Sequence, residues 1–297
     1  MQVSKLRGTG VAIITPFKND QSIDFKALEK IINYVIDNKV EYIVALGTTG
    51  ESATLTGKEK QALIDYIVEI NNNRVPLVVG IGGNNTQEVM NQITSTNLSH
   101  ADAILSVCPY YNKPNQNGIF EHYKTIASVT SLPIIIYNVP GRTAVNITAE
   151  TTLKLARSVK NIVATKEASC NLVQVMEIIK NKPENFLVIS GDDVLTLPIL
   201  ASGGDGVISV VANGFPKEFS DMVRYAMDNK MDQARKIHYQ LFEIINALFA
   251  DGSPGGIKAA MSIQGLLENN LRLPLVPVNQ AVYEQLKKLM HRRHDSV

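Results

Sequence analysis

Eight short runs rich in Val and Ile recur along the chain: Val11–Ile14, Tyr42–Leu46, Leu77–Gly80, Ala103–Val107, Ile134–Tyr137, Ile162–Thr165, Phe186–Ile189 and Gly206–Val210. They are continuous rather than alternating in polarity, as expected of parallel strands covered on both faces. Their spacing of roughly 20 to 35 residues is the repeat of one strand plus one helix in a barrel. Helix signals lie between them. Asp24 is placed to cap a helix carrying Phe25, Leu28, Ile31, Ile32 and Val35 on one face. Thr56-Gly57-Lys58-Glu59 reads as a capping box ahead of Leu63, Ile67 and Ile70. Thr86 and Thr148 also sit where N-caps belong. The pattern predicts an α/β fold, a (β/α)8 TIM barrel over residues 1–225. An open doubly wound sheet is the competitor, and eight regular units favour closure.

Strand signals stop after about Tyr225. Asp228–Phe249, Gly255–Glu268 and Asn279–His291 read as helices, so residues 226–297 are expected to form a helical C-terminal domain packed on the barrel. No low-complexity linker separates the two parts.

The chain of 297 residues is 45% hydrophobic and 19% charged, enough for a large core without a metal or disulfide to hold it. A net charge of +1 gives no sign of a nucleic-acid partner. The basic run His291-Arg292-Arg293-His294 reads as a solvated tail, and a frayed end is a poor place for a metal despite its two histidines. Cys108 and Cys170 lie far apart and outside any C-x-x-C pattern, which argues against a disulfide scaffold and a zinc site. Either could be a nucleophile, but small buried hydrophobes are the favoured reading. With no signal peptide or membrane-length apolar run, the expected setting is the cytoplasm.

The sixth run ends on Lys166, within Asn161-Ile162-Val163-Ala164-Thr165-Lys166-Glu167. Charged residues rarely finish an apolar strand unless they have a partner or a task. A lysine at the dry end of a barrel strand can present a free amine to a ketone and form a Schiff base. A structural ion pair with Glu167 or another acid is the plainer alternative.

In such barrels the working residues cluster at the C-terminal strand ends. Gly47-Thr48-Thr49-Gly50-Glu51-Ser52 follows the second run and can offer backbone N–H groups to a carboxylate or phosphate, or simply be a capped turn. Tyr110 and Tyr111 lie in a Pro-bounded loop and can relay protons or pack at an interface. Tyr137 ends the fifth run, and Arg142 follows on a Pro-Gly turn, either gripping a carboxylate or standing free on the surface. Asp192-Asp193 could bind a metal, but a helix cap is favoured. The glycine-rich stretches Gly80–Asn84 and Ser202–Gly206 fit no dinucleotide fingerprint and read as turns.

Taken together, G-T-T-G-E-S, P-Y-Y-N-K-P, I-Y-N-V-P-G-R-T and the T-K-E-A-S lysine resemble the dihydrodipicolinate synthase family of Schiff-base pyruvate aldolases. The resemblance runs from about Gly8 to the last helices, and the four motifs are specific only as a set. It implies condensation of pyruvate with L-aspartate 4-semialdehyde on the way to diaminopimelate and lysine, without metal or organic cofactor. It further implies that Lys166 forms the imine, while Thr48, Tyr137 and Tyr111 make a hydroxyl relay with Tyr111 supplied across a dimer interface. Thr48 and Thr49 would hold the pyruvate carboxylate. Arg142 would hold that of the semialdehyde, and Gly191 and Ile208 would line the pocket through their backbones. A homotetramer built as a dimer of dimers is implied as well.

Two departures stand out. Asn84, Glu88 and Tyr110 match the polar set of lysine-inhibited members, but Gly57 stands where those carry a histidine. Ser253–Lys258 is more glycine-rich than the Pro-rich family pattern. The alternatives are a sister enzyme, N-acetylneuraminate lyase or a 2-keto-3-deoxy sugar-acid aldolase, and a non-catalytic metabolite-binding barrel. Sister lyases usually lack the P-G-R arginine, and a sensor would have no need to keep the lysine, tyrosines and threonines together.

Overall fold

In the computed structural model, which describes residues 3–294, eight parallel strands close in sequence order. They are β1 (Gly8–Ala12), β2 (Tyr42–Ala45), β3 (Leu77–Gly80), β4 (Ala103–Val107), β5 (Ile134–Asn138), β6 (Ile162–Glu167), β7 (Leu187–Ser190) and β8 (Gly206–Ser209). Pairing of Gly8 with Gly206 and of Val11 with Ser209 returns β8 to β1. The fold is a TIM barrel with a helical appendage.

The outer layer runs α1 (Phe25–Asp37), α2 (Gly57–Asn71), α3 (Thr86–Ser95), α4 (Gln116–Ala127), α5 (Pro140–Thr143), α6 (Ala149–Ser158), α7 (Leu172–Asn181), α8 (Thr196–Ala201) and α9 (Pro216–Met227). The appendage is α10 (Met231–Phe249), α11 (Gly255–Ile263) and α12 (Gln280–His294). Asp24 and Thr148 cap α1 and α6 as expected, and Thr56 with Glu59 closes a complete capping box on α2. The cap of α3 is Asn85, not Thr86. The Asn85 carboxamide accepts from Gln87 and Glu88, and Thr86 instead meets His122 Nδ1 at 2.9 Å.

Alternation along the strands separates two cores. Leu6, Tyr42, Leu105, Ile135, Leu187 and Ile189 belong to a cluster filling the barrel. The larger cluster lies between strands and helices and continues into the appendage through Leu241, Ile257 and Met261. The barrel floor explains why the first strand begins earlier than its apolar run. A Cβ at Gly10 would fall 2.1 Å from Tyr42 Cε2, so the glycine is there to admit the ring, not to turn the chain.

Backbone breaks also move the expected helix ends. Asn229, at φ 60°, delays α10 to Met231, and Gly265, at φ 70°, stops the helix expected to reach Glu268. The basic run expected to be a tail lies on the last turn of α12, where His291 Nδ1 meets the Lys287 carbonyl at 2.6 Å. The side chains of Arg293 and His294 lie outside the described residues.

Candidate active site

Lys166 and Tyr137 are register partners on β6 and β5, and both point into the barrel near its C-terminal mouth. Lys166 Nζ sits 4.2 Å from the centroid of the Tyr137 ring. Lys166 is 5% exposed and Tyr137 7%. Lys166 forms no ion pair among the described residues. The acid beside it in sequence points the other way, as the two-residue period of a strand demands. Glu167 is buried among neutral donors: Asn138 Nδ2, Ser169 Oγ, Gln174 Nε2 and Thr165 Oγ1. Burial pushes its carboxyl up to about 7, and those four hydrogen bonds only partly oppose the shift.

Gly191, just beyond β7, packs on the aliphatic stem of that lysine. A Cβ there would lie 3.0 Å from both Lys166 Cε and Cγ. Ile208 on β8 is buried in the barrel-filling cluster that also contains Tyr137.

A cavity of about 610 Å³ opens at Tyr137, lined also by Thr48, Leu105 and Val107, with Lys166 against the tyrosine ring and not itself in the lining. An adjoining cavity of about 590 Å³ shares Thr48 and Val107 and carries Tyr110, Arg142, Asn84 and Glu88. Thr48 thus stands where the two meet. The turn Thr48–Gly50 is 3-10, and Gly50 and Glu51 donate to the Gly47 and Thr48 carbonyls. Its geometry leaves the Thr48 and Thr49 N–H groups without a partner inside the turn. Arg142 is held in the one-turn helix α5, exposed, with its guanidinium 3.4 Å from the Ser253 carbonyl of the appendage.

Tyr111 is not brought into the cavity. It is 88% exposed and has φ 73°, an unusual backbone for a tyrosine.

The paired aspartates divide their work, and neither is the cap expected of them: the N-cap of α8 is Leu195, without a side-chain cap bond, and Asp192 instead closes the turn ahead of that helix. Asp192 accepts from the Val194 and Leu195 N–H groups. Asp193 is buried and ties the β7 loop to the β8 loop through Ser209 Oγ, Val210 N and Val211 N. Burial pushes its carboxyl up to about 6. Among the described residues no group of three His, Cys, Asp or Glu could hold a metal ion. Cys108 is buried and its thiol is pushed up to about 12 by desolvation. Cys170 is exposed, against expectation, and its thiol donates to Asp192 at 3.2 Å. No helix among the described residues is long and apolar enough to cross a membrane.

A closed parallel barrel with a lysine free of ion pairs beside a tyrosine at its mouth fits one class, the Schiff-base-forming lyases. The comparisons narrow it. Residues 5–293 match the dihydrodipicolinate synthetase family, and the chain belongs to that family. It is similar to a 4-hydroxy-tetrahydrodipicolinate synthase of Parabacteroides distasonis, 51% identical over 97% of each chain. Among solved structures it is similar to a dihydrodipicolinate synthase at TM-score 0.94 and 45% identity, covering 97% of this chain and 99% of that one. It is also similar to the chloride-inhibited dihydrodipicolinate synthase of Acinetobacter baumannii complexed with pyruvate. That chain has TM-score 0.94 and 37% identity, with 96% of this chain and 98% of that one covered.

Proposed function

We propose that this site joins pyruvate to L-aspartate 4-semialdehyde and that the residues singled out above divide the work as follows. The Lys166 amine attacks the pyruvate ketone and expels water, leaving an imine. Loss of a methyl proton gives the enamine, whose carbon adds to the aldehyde of the second substrate. The amine of that substrate then attacks the imine carbon and releases Lys166, closing the ring of 4-hydroxy-tetrahydrodipicolinate. The protons need a carrier that stays neutral near pH 7, which hydroxyls of Tyr137 and Thr48 provide, with Tyr111 of a second copy completing the relay. The Thr48–Thr49 N–H groups take the pyruvate carboxylate, Arg142 takes that of the semialdehyde, and Gly191 and Ile208 line the pocket.

The observation that carries the reading is the 4.2 Å approach of the unpaired Lys166 nitrogen to Tyr137. The test is borohydride reduction in the presence of pyruvate, followed by peptide mass analysis. A stable adduct is expected on Lys166 and none in Lys166→Ala; an unmodified wild type sinks the mechanism. Arg142 at the mouth favours this substrate over the polyhydroxylated chain of a sugar-acid aldolase.

We further infer a catalytic unit at residues 1–225, a helical unit at 226–297, a homotetramer built as a dimer of dimers, and a cytoplasmic setting. The exposed Tyr111 and the two free cysteines support the last two. Asn84, Glu88 and Tyr110 could receive a free amino acid, but Gly57 offers no imidazole, so we infer weak or absent inhibition by lysine.

A further inference from the structure

Lys258 stands in the first turns of α11 with its side chain enclosed, and it meets a glutamate 207 residues away in sequence. Its Nζ donates to Glu51 Oε1 and, at 2.9 Å, to the Asn270 carbonyl, and lies 4.3 Å from the centroid of the Phe17 ring. The other Glu51 oxygen accepts the Arg272 N–H at 3.0 Å. Both charged side chains are 0% exposed. Desolvation cancels much of the attraction in such a pair, so it is a poor device for stability alone.

Its place in the fold suggests another use. Glu51 ends the Thr48–Gly50 turn in a left-handed conformation, φ 52° and ψ 35°, which a residue with a Cβ adopts only when its surroundings impose it. On the barrel side, Thr15 Oγ1 donates to the Gly50 carbonyl at 2.7 Å. On the other side the only ion pair to the turn's last residue among the described residues comes from the appendage, through Lys258. The Arg272 guanidinium braces the start of α2 instead, through Glu59 and the Thr54 carbonyl.

We propose that Lys258, acting through Glu51, is a positioning residue that sets the Thr48 and Thr49 N–H groups to receive the carboxylate of the keto acid. The helical appendage is then part of substrate recognition. The proposal rests on the reading of that turn as the carboxylate holder.

The experiment compares borohydride trapping at Lys166 with pyruvate and with methyl pyruvate, which offers the same ketone without the charge. Wild type, Lys258→Met and the double variant Glu51→Gln/Lys258→Met are measured, with thermal unfolding followed in each. The double variant leaves no lone buried charge and so reads the proposal where the single one fails to fold. The half-saturating pyruvate concentration is expected to rise roughly tenfold, the size of one lost charge-assisted contact, with methyl pyruvate little changed. An unchanged pyruvate value in a folded variant, or an equal rise for both ketones, overturns the proposal. A wild type that shows no preference for pyruvate over its ester instead removes the carboxylate reading of the turn.

Discussion

Asn138 Nδ2 spans both carboxylate oxygens of Glu167, at 3.2 and 3.3 Å, one register step beyond the Tyr137–Lys166 pair. The same amide group donates to Asn146 Oδ1, while Asn138 Oδ1 accepts the Ile147 N–H at 3.0 Å. The outward faces of β5 and β6 are therefore locked where their inward faces carry Tyr137 and Lys166.

That lock gives stability a distinctive pH dependence. Burial raises Glu167 to about 7 in the folded chain, from the ordinary 4.5 of a free glutamate. Between those values the folded state holds a proton that the unfolded state has released, so stability falls as pH rises through the window. The slope approaches 1.4 kcal/mol per pH unit, for a total of about 3 kcal/mol above pH 7. Glu167→Gln removes the ionisation, although its NH2 group faces donors and costs some stability at every pH. Urea midpoints at pH 4.5, 6 and 8 should therefore fall less with pH in the variant. Parallel slopes would show that Glu167 does not titrate there.

Gly191 makes a steric prediction. Its φ is not in the left-handed region, so Gly191→Ala strains no backbone, but the new methyl meets the Lys166 stem at 3.0 Å and Ala168 Cβ at 2.9 Å. Overpacking of this kind costs about 1–3 kcal/mol. A flexible lysine relieves it by moving, so the loss should appear in imine formation more than in folding. Expected is a fall of about ten- to a hundredfold in trapping rate, at 1.4 kcal/mol per tenfold, with a small change in thermal midpoint. A large drop in midpoint with normal trapping would contradict this.

The contrast between Lys166 and Glu167 marks how far the sequence could be read. The barrel was legible because eight parallel strands buried on both faces must be apolar throughout, and Lys166 broke that rule conspicuously. Glu167 was weighed only as an ion-pair partner for its neighbour. Its real partners, Asn138 and Gln174 among them, come from the neighbouring strand β5 and from α7, and no local spacing announces them. The Glu51–Lys258 contact was hidden for the same reason, since both residues read as ordinary polar positions of a turn and a helix. The β1 boundary was misplaced because Gly8-Thr9-Gly10 resembles a turn until the ring of Tyr42 is known to need the space.

Arg142 is exposed, and among the described residues its guanidinium makes one long hydrogen bond, to the Ser253 carbonyl, so its removal should cost little stability. As the holder of the semialdehyde carboxylate it contributes a charge-assisted hydrogen bond worth about 1.5–3 kcal/mol. Arg142→Ala should raise the KM for the semialdehyde by about ten- to a hundredfold, at 1.4 kcal/mol per tenfold, while leaving pyruvate nearly unaffected. Equal effects on both substrates in steady-state kinetics would refute the assignment.

Tyr111 tests the need for a second copy. A tyrosine left 88% exposed at φ 73° gains nothing from its own fold, and Lys113 two residues on also has a positive φ of 48°. Two such residues in one loop cost on the order of 1–3 kcal/mol each, which persists only where something else fixes them. If a partner barrel fixes the loop and receives the hydroxyl, Tyr111→Phe keeps the ring packing and loses only the proton carrier. Turnover should then fall by about a hundredfold or more, the usual worth of a positioned acid–base group, with the assembly state and thermal midpoint unchanged. Dilution of wild type should lower specific activity in step with dissociation followed by sedimentation. Full activity in a dissociated wild type, or an unimpaired Tyr111→Phe enzyme, would take Tyr111 out of the relay and make each barrel self-sufficient.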